Sequence, residues 1–193
     1  MSMADSITLD PHKSLFLPYG IGAVLIKDST LQKKAFKSTA PYMQDILTSP
    51  EDWSPSDMSP ELTKHFRALR MWLPLNCYGV DPFRAALEEK LLLTQYFYNE
   101  LKQMNNIQIA CEPDLSIVTF RYLSETGDTN AFNMNLLEQI NSDGRVFLSS
   151  TRLNNQYYIR MACLSFRTHI EDINLALDII KHALSKQDAL FLQ

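Results

Sequence analysis

The sequence predicts a mixed fold in two parts. The closing strands of an α/β domain occupy residues 1–60, a connecting helix 61–80, and a compact α+β unit 81–193. Three observations carry this. Two short apolar runs near the N-terminus, Ile7 to Leu9 and "GAVLIKD", read as strands that cannot bury themselves alone. The stretch "STAPYMQDILTSPEDWSPSDMSP" is too rich in proline and serine to form one regular element. After Asp81, long amphipathic helical patterns alternate with short strand-like runs, as expected for helices on one face of a small antiparallel sheet. Residues 1–60 therefore read as the tail of a larger domain whose beginning is absent.

In the first part, the run ending at Asp28 is predicted to be a strand covered on both faces. Between the two strands, Pro18-Tyr19-Gly20-Ile21-Gly22 is a turn, and it lacks the spacing of a nucleotide-binding glycine fingerprint. Leu31 to Lys37 reads as a short helix. A capping Ser59 followed by Pro60 predicts a helix carrying "ELTKHFRALRMWLPL", with Leu62, Phe66, Leu69 and Leu73 on one face until Pro74 breaks it.

In the second part, Asp81-Pro82 opens a long helix to about Asn105, with Phe83, Leu87, Leu91, Phe97, Leu101 and Met104 as its core stripe. Strands follow around Ile107–Ala110 and Leu115–Tyr122, then a helix over Ala131–Ile140 stopped by Asp143-Gly144. Arg145–Ser150 and Gln156–Leu164 read as a hairpin about Asn154-Asn155. Thr168 and Glu171 form the expected capping box of the last helix, whose stripe is Ile170, Ile173, Leu177, Ile180 and Leu184.

Composition narrows the function. The chain has 193 residues, a formal net charge of −4 and 46% hydrophobic residues, which suits a packed globular protein. No basic run or basic–aromatic stripe points to nucleic acid, and no apolar run is long enough to span a membrane. Cys77, Cys111 and Cys163 read as buried, reduced thiols of a cytoplasmic protein. The four histidines, His12, His65, His169 and His182, have no ligand spacing, so no metal is expected.

One residue carries chemistry. In "DSITLDPHKSLFL", Lys13 follows a Pro-His pair and lies between two apolar segments. A lysine so flanked is a solvated charge or, if its amine is partly desolvated, a nucleophile able to form a Schiff base with a carbonyl.

"ADSITLDPHKSLFLPYGIGAVLIKD" resembles the lysine segment of the group II pyridoxal-phosphate-dependent amino-acid decarboxylases, the aromatic-L-amino-acid decarboxylase branch in particular. "HFRALRMWLPLNCYGV" resembles that family's arginine-rich helix, and "YYIRMACLSFRTHIEDI" its final strand and helix. The resemblance implies the C-terminal part of a fold type I, aspartate-aminotransferase-like enzyme: the end of the large cofactor domain plus the small α+β domain. It implies that Lys13 forms the Schiff base with pyridoxal 5'-phosphate, with His12 beside it at the cofactor. Asp10 takes the place where many relatives carry an asparagine near the phosphate; a carboxylate there must be paired or turned away. Tyr42, on the family's mobile loop, would protonate the carbanion carbon after carbon dioxide leaves. Thr63 falls where relatives vary a small residue that shapes substrate preference. Arg160 is given a structural role, because clamping the leaving carboxylate would stabilise the ground state.

The implied activity is decarboxylation of an L-amino acid, aromatic or related. The implied partners are that substrate and either further copies of the chain or an upstream complementary chain. The aspartate that protonates the ring nitrogen in relatives lies upstream of the lysine motif, so the chain is expected to be truncated. It is also expected to expose apolar surface and to self-associate. The alternative from another class is a non-catalytic fragment or assembly module that binds a partner chain. A third, oxidative deamination to an aldehyde, is disfavoured by Tyr42.

Overall fold

The computed structural model describes residues 3–36, 54–125 and 127–191, with the side chains of 187–191 excepted. Backbone packing divides the chain into two units, Met1–Val80 and Asp81–Gln193.

The first unit opens with β1 (Ser6–Leu9), a single-turn α1 (Pro11–Ser14) and β2 (Ala23–Ile26). β1 and β2 pair antiparallel, Ser6 opposite Ile26 and Leu9 opposite Ala23. Asp28 then caps α2 (Ser29–Phe36): its Oδ1 accepts from the Thr30 N–H at 2.9 Å and from the Thr30 hydroxyl at 2.6 Å. A 3₁₀ turn over Pro55–Met58 is closed by a capping box between Ser54 and Asp57. The Gln32 amide ties α2 to that turn, donating to the Met58 carbonyl at 2.7 Å.

Two expectations for this unit fail. β2 is not covered on both faces, since Val24 and Leu25 are 49% and 58% exposed. The connecting helix does not fill 61–80; α3 spans Leu69–Tyr78, with Pro74 inside it and Gly79 ending it at a positive φ of 75°. The predicted apolar stripe gives the reason. Leu62 and Phe66 are exposed, so extending the helix to Ser59 would gain little packing to offset the entropy of ordering it. Pro74 is tolerated because the carbonyl it fails to engage belongs to Arg70, an exposed residue open to hydration.

The second unit runs α4 (Asp81–Lys102), β3 (Ile107–Ile109), β4 (Ile117–Tyr122), α5 (Thr129–Ser142), β5 (Ser149–Leu153), β6 (Gln156–Ala162) and α6 (Ile170–Phe191). Its antiparallel sheet has the order β3-β4-β6-β5. Val118 faces Met161 across the central seam and Phe120 faces Ile159, putting these four side chains on one face by strand alternation. They join Phe97 and Leu101 of α4, Leu136 and Ile140 of α5 and Ile180 of α6 in one core. The Phe97 and Phe120 rings meet edge to face, with centroids 6.0 Å apart. The other face is polar. There Arg121 donates to Gln108 at 2.6 Å and lies over the Tyr158 ring, while Arg160 donates to the Ser149 hydroxyl at 3.2 Å.

One buried amide locks α5 to the sheet. Asn133 is fully buried; its Oδ1 accepts from the Tyr122 N–H at 2.8 Å, and its Nδ2 donates to the carbonyls of Tyr122 and Thr129. The α4 stripe holds at Phe97 and Leu101, which are in the core, and at Met104, which packs against it, and it departs from expectation at one position. Leu91 is 42% exposed, whereas Lys90 is buried, its ammonium donating to Glu89 and to the Thr168 carbonyl. Glu89 also accepts from His169 Nδ1 at 2.7 Å. The cap of α6 is offset by one residue from Thr168 and Glu171: Asp172 reaches back to the His169 N–H at 2.9 Å. All three thiols are free, but Cys77 and Cys111 are exposed, contrary to expectation, and only Cys163 is buried. Among the described residues no helix is long and apolar enough to cross a membrane, and no cluster of metal-ligating side chains occurs.

Candidate active site

The lysine sits at the bend between β1 and β2. Pro11 starts α1 at the position where its missing N–H is harmless, and it is buried. The Lys13 N–H donates to the Asp10 carbonyl at 2.9 Å, and Leu17 N–H to the Pro11 carbonyl at 3.2 Å. Between these bonds Phe16 takes a φ of +55°, a conformation bulky residues seldom adopt, which turns the chain sharply after the lysine. Leu17 and Ile21 are 7% and 4% exposed and, with Pro11, anchor the bend from beneath.

On this bend Lys13 Nζ donates to Asp10 Oδ2 at 2.7 Å, in a pair whose side chains are 61% and 49% exposed. The Lys13 ammonium, by hydrogen bond and by charge, holds the Asp10 carboxyl below the usual carboxylate range. His12 is half-buried and points its Nδ1 at the Ile21 carbonyl, 2.6 Å away. A carbonyl can only accept, so in the neutral ring Nδ1 carries the hydrogen and Nε2 keeps the lone pair. Tyr19 packs edge-on against the His12 ring, with centroids 5.1 Å apart.

The structure thus brings together Asp10, His12 and Lys13. Thr63 lies exposed in the irregular stretch before α3, and Tyr42 falls outside the described residues. Sequence reasoning missed Tyr19 and Arg70. Arg70 donates to the Tyr19 carbonyl at 2.6 Å from fifty-one residues along the chain. The available signal was the Pro-Tyr-Gly turn, whose glycine marks a place where another group approaches the backbone closely.

An amine presented on one helical turn, beside a fixed imidazole and between two strands, is suited to holding a carbonyl cofactor covalently. The comparisons specify the class. Residues 1–123 match the family described as the pyridoxal-dependent decarboxylase conserved domain, and the chain belongs to that family. It is 35% identical over 175 residues to an aromatic-L-amino-acid decarboxylase of Bacillus atrophaeus, covering 88% of this chain and 36% of that protein. Oryza sativa TDC, solved with PLP and tryptamine, superposes with a TM-score of 0.88 at 19% identity, over 96% of this chain and 40% of that one. Catharanthus roseus tryptophan decarboxylase, solved in complex with L-tryptophan, gives 0.82 at 22%, over 94% and 39%. The fold is therefore that of part of a fold type I enzyme, and the chain spans less than half the length of these relatives.

The residues present fit pyridoxal phosphate in part. Lys13 Nζ is accessible and its pairing is a solvent-exposed one that a covalent bond can replace. His12 has one nitrogen committed and the other with its lone pair available. Asp10 fits as the lysine's partner rather than as a phosphate ligand: it is anionic, offers no donor, and already accepts from Lys13.

Proposed function

We propose that the chain is part of a pyridoxal-phosphate-dependent decarboxylase of an L-amino acid, aromatic or related, with Lys13 as the residue that holds the cofactor. The observation that carries this reading is the accessible Lys13 amine on its single-turn helix, beside an imidazole fixed through Nδ1. The bound cofactor supplies an electron sink for the pair left when carbon dioxide departs.

The chain's own residues do the rest. Lys13 must shed a proton and leave Asp10 before its nitrogen can attack a carbonyl; Asp10 holds the ammonium at the bend until then. His12 Nε2, a proton acceptor in the neutral ring, takes part beside it. Tyr42 is assigned the proton return to carbon and Thr63 a part in substrate preference. Residues 1–60 would contribute the cofactor side of the site, 61–80 the connection, and 81–193 the small domain. The reading includes a partner, either a second copy or a complementary upstream chain; the exposure of Phe66 and Trp72, 74% and 59%, supports it. Three free thiols support a reducing, cytoplasmic setting.

The test is reductive trapping. The chain is incubated with pyridoxal phosphate, reduced with borohydride and mapped by mass spectrometry. A single stoichiometric adduct on Lys13 is expected. Labelling scattered over surface lysines would mean that the bend does not select its lysine, and would favour the non-catalytic alternative.

A further inference from the structure

We propose that Arg70 is the positioning residue of the lysine bend, fixing the tautomer and orientation of His12 from the far end of the unit. The inference rests on the reading of Lys13 and His12 as the cofactor segment, but its geometry is independent of any bound group.

Three contacts form one chain of constraint. Arg70 Nη1 donates to the Tyr19 carbonyl at 2.6 Å. Tyr19 in turn meets the His12 ring edge to face. Two residues on, the Ile21 carbonyl receives the His12 Nδ1 hydrogen at 2.6 Å. Gly20, at the middle of this turn, has a φ of +87°, and a Cβ there would stand 2.7 Å from Arg70 Nη1. That positive φ favours glycine at this position, and its bare backbone leaves room for the guanidinium tip.

The consequence concerns His12. The carbonyl that selects its Nδ1–H form belongs to a turn of two glycines and a proline, and such a turn has little stiffness of its own. The guanidinium supplies the stiffness. Holding Ile21 in place keeps Nδ1 as the donor and leaves Nε2 as the basic nitrogen beside Lys13. Free imidazole has no such constraint.

Nitrogen-15 histidine spectra of the full chain at about pH 8, where ordinary imidazoles are neutral, read the tautomer directly. In the unaltered chain His12 is expected as the Nδ1–H form. In Arg70→Met the ratio should move roughly fivefold toward Nε2–H, the size of one modest hydrogen bond, while His65, His169 and His182 keep their signals. Arg70→Lys, which retains a donor, should show a smaller shift than Arg70→Met. Gly20→Ala is strained by its φ of +87° with or without the guanidinium, so Arg70→Ala, which also removes the donor, carries the test should Arg70→Met fold poorly, and it should give the same shift at His12. An unaltered chain with His12 in the Nε2–H form, or an Arg70→Met spectrum unchanged at His12, overturns the proposal. Reductive trapping run in parallel keeps the two readings apart. A correct tautomer response without a Lys13 adduct sinks the cofactor assignment and leaves the positioning role standing. An adduct with an unresponsive His12 does the reverse.

Discussion

Lys13 and Asp10 are three residues apart on one helical turn, and the lysine's ammonium is spent on the carboxylate at 2.7 Å. Under the proposed assignment of Lys13, the nucleophile is stored as an exposed ion pair that must open before it reacts. Asp10→Asn removes the charge that the amine leaves behind. Labelling of Lys13 by pyridoxal phosphate and borohydride is expected to rise roughly twofold to fivefold at fixed pH, the scale of a surface pair. Equal or slower labelling would show that Asp10 aids capture by placing the amine.

Acid stability follows from the carboxylates. Asp10, Glu61, Glu89 and Asp143 are all held below their ordinary range, chiefly by hydrogen bonds from Lys13, Arg67, Lys90 and Arg145 respectively. A depressed folded-state value means that stabilisation is full above the unfolded-state value, about 4, and fades as pH falls through the folded one. The urea midpoint should therefore be nearly flat above about pH 5.5 and decline below about pH 4. Glu89→Gln should lower the midpoint at neutral pH and flatten that decline, since it removes one of the titrating groups. An unchanged acid slope would remove Glu89 from the account.

Asn133 imitates a strand neighbour for the main chain of Tyr122, serving its N–H and its carbonyl at once. Asn133→Ala should destabilise the second unit by about 2–4 kcal/mol, because two buried backbone groups lose their partners. Asn133→Asp should be worse at neutral pH, since its carboxylate would face two carbonyls. Thermal melts of both variants decide it; a change under about 0.5 kcal/mol for alanine would mean that these groups find other partners.

Thiol labelling gives a simple structural readout. Cys77 and Cys111 are exposed, whereas Cys163 is buried and its thiol is pushed up by that burial, partly opposed by Lys90. Iodoacetamide at neutral pH should modify two cysteines promptly and the third only after denaturant is added. Prompt modification of all three would indicate that the α4–α6 layer opens easily.

Much of the second unit was legible because its signals are local and mutually consistent. Apolar runs marked the strands around Ile107–Ala110 and Leu115–Tyr122, and the paired asparagines marked the hairpin. Lys90 was not legible: nothing local announces that the Glu89 carboxylate and the Thr168 carbonyl, the latter seventy-eight residues away, will receive a buried ammonium. In the first unit the Ser59-Pro60 cap signal misled, because a cap cannot sustain a helix whose apolar stripe has nothing to cover it. The lysine segment was recognisable from sequence, but the hold of Arg70 on it was not. That contact joins the start of α3 to a turn distant in the chain through a backbone oxygen, which no side-chain pattern encodes.

The asparagine pair at the hairpin has a kinetic consequence. Asn154 and Asn155 have φ values of 50° and 62°, the two positive angles of the turn type whose twist matches paired strands. β5 and β6 can therefore meet as a local hairpin on the microsecond scale. The seam between β4 and β6 must wait, since all of α5 and β5 intervenes and closing so long a loop carries its entropy with it. The centre of the sheet, which holds the heart of the core, is thus the seam whose closure costs the most chain entropy.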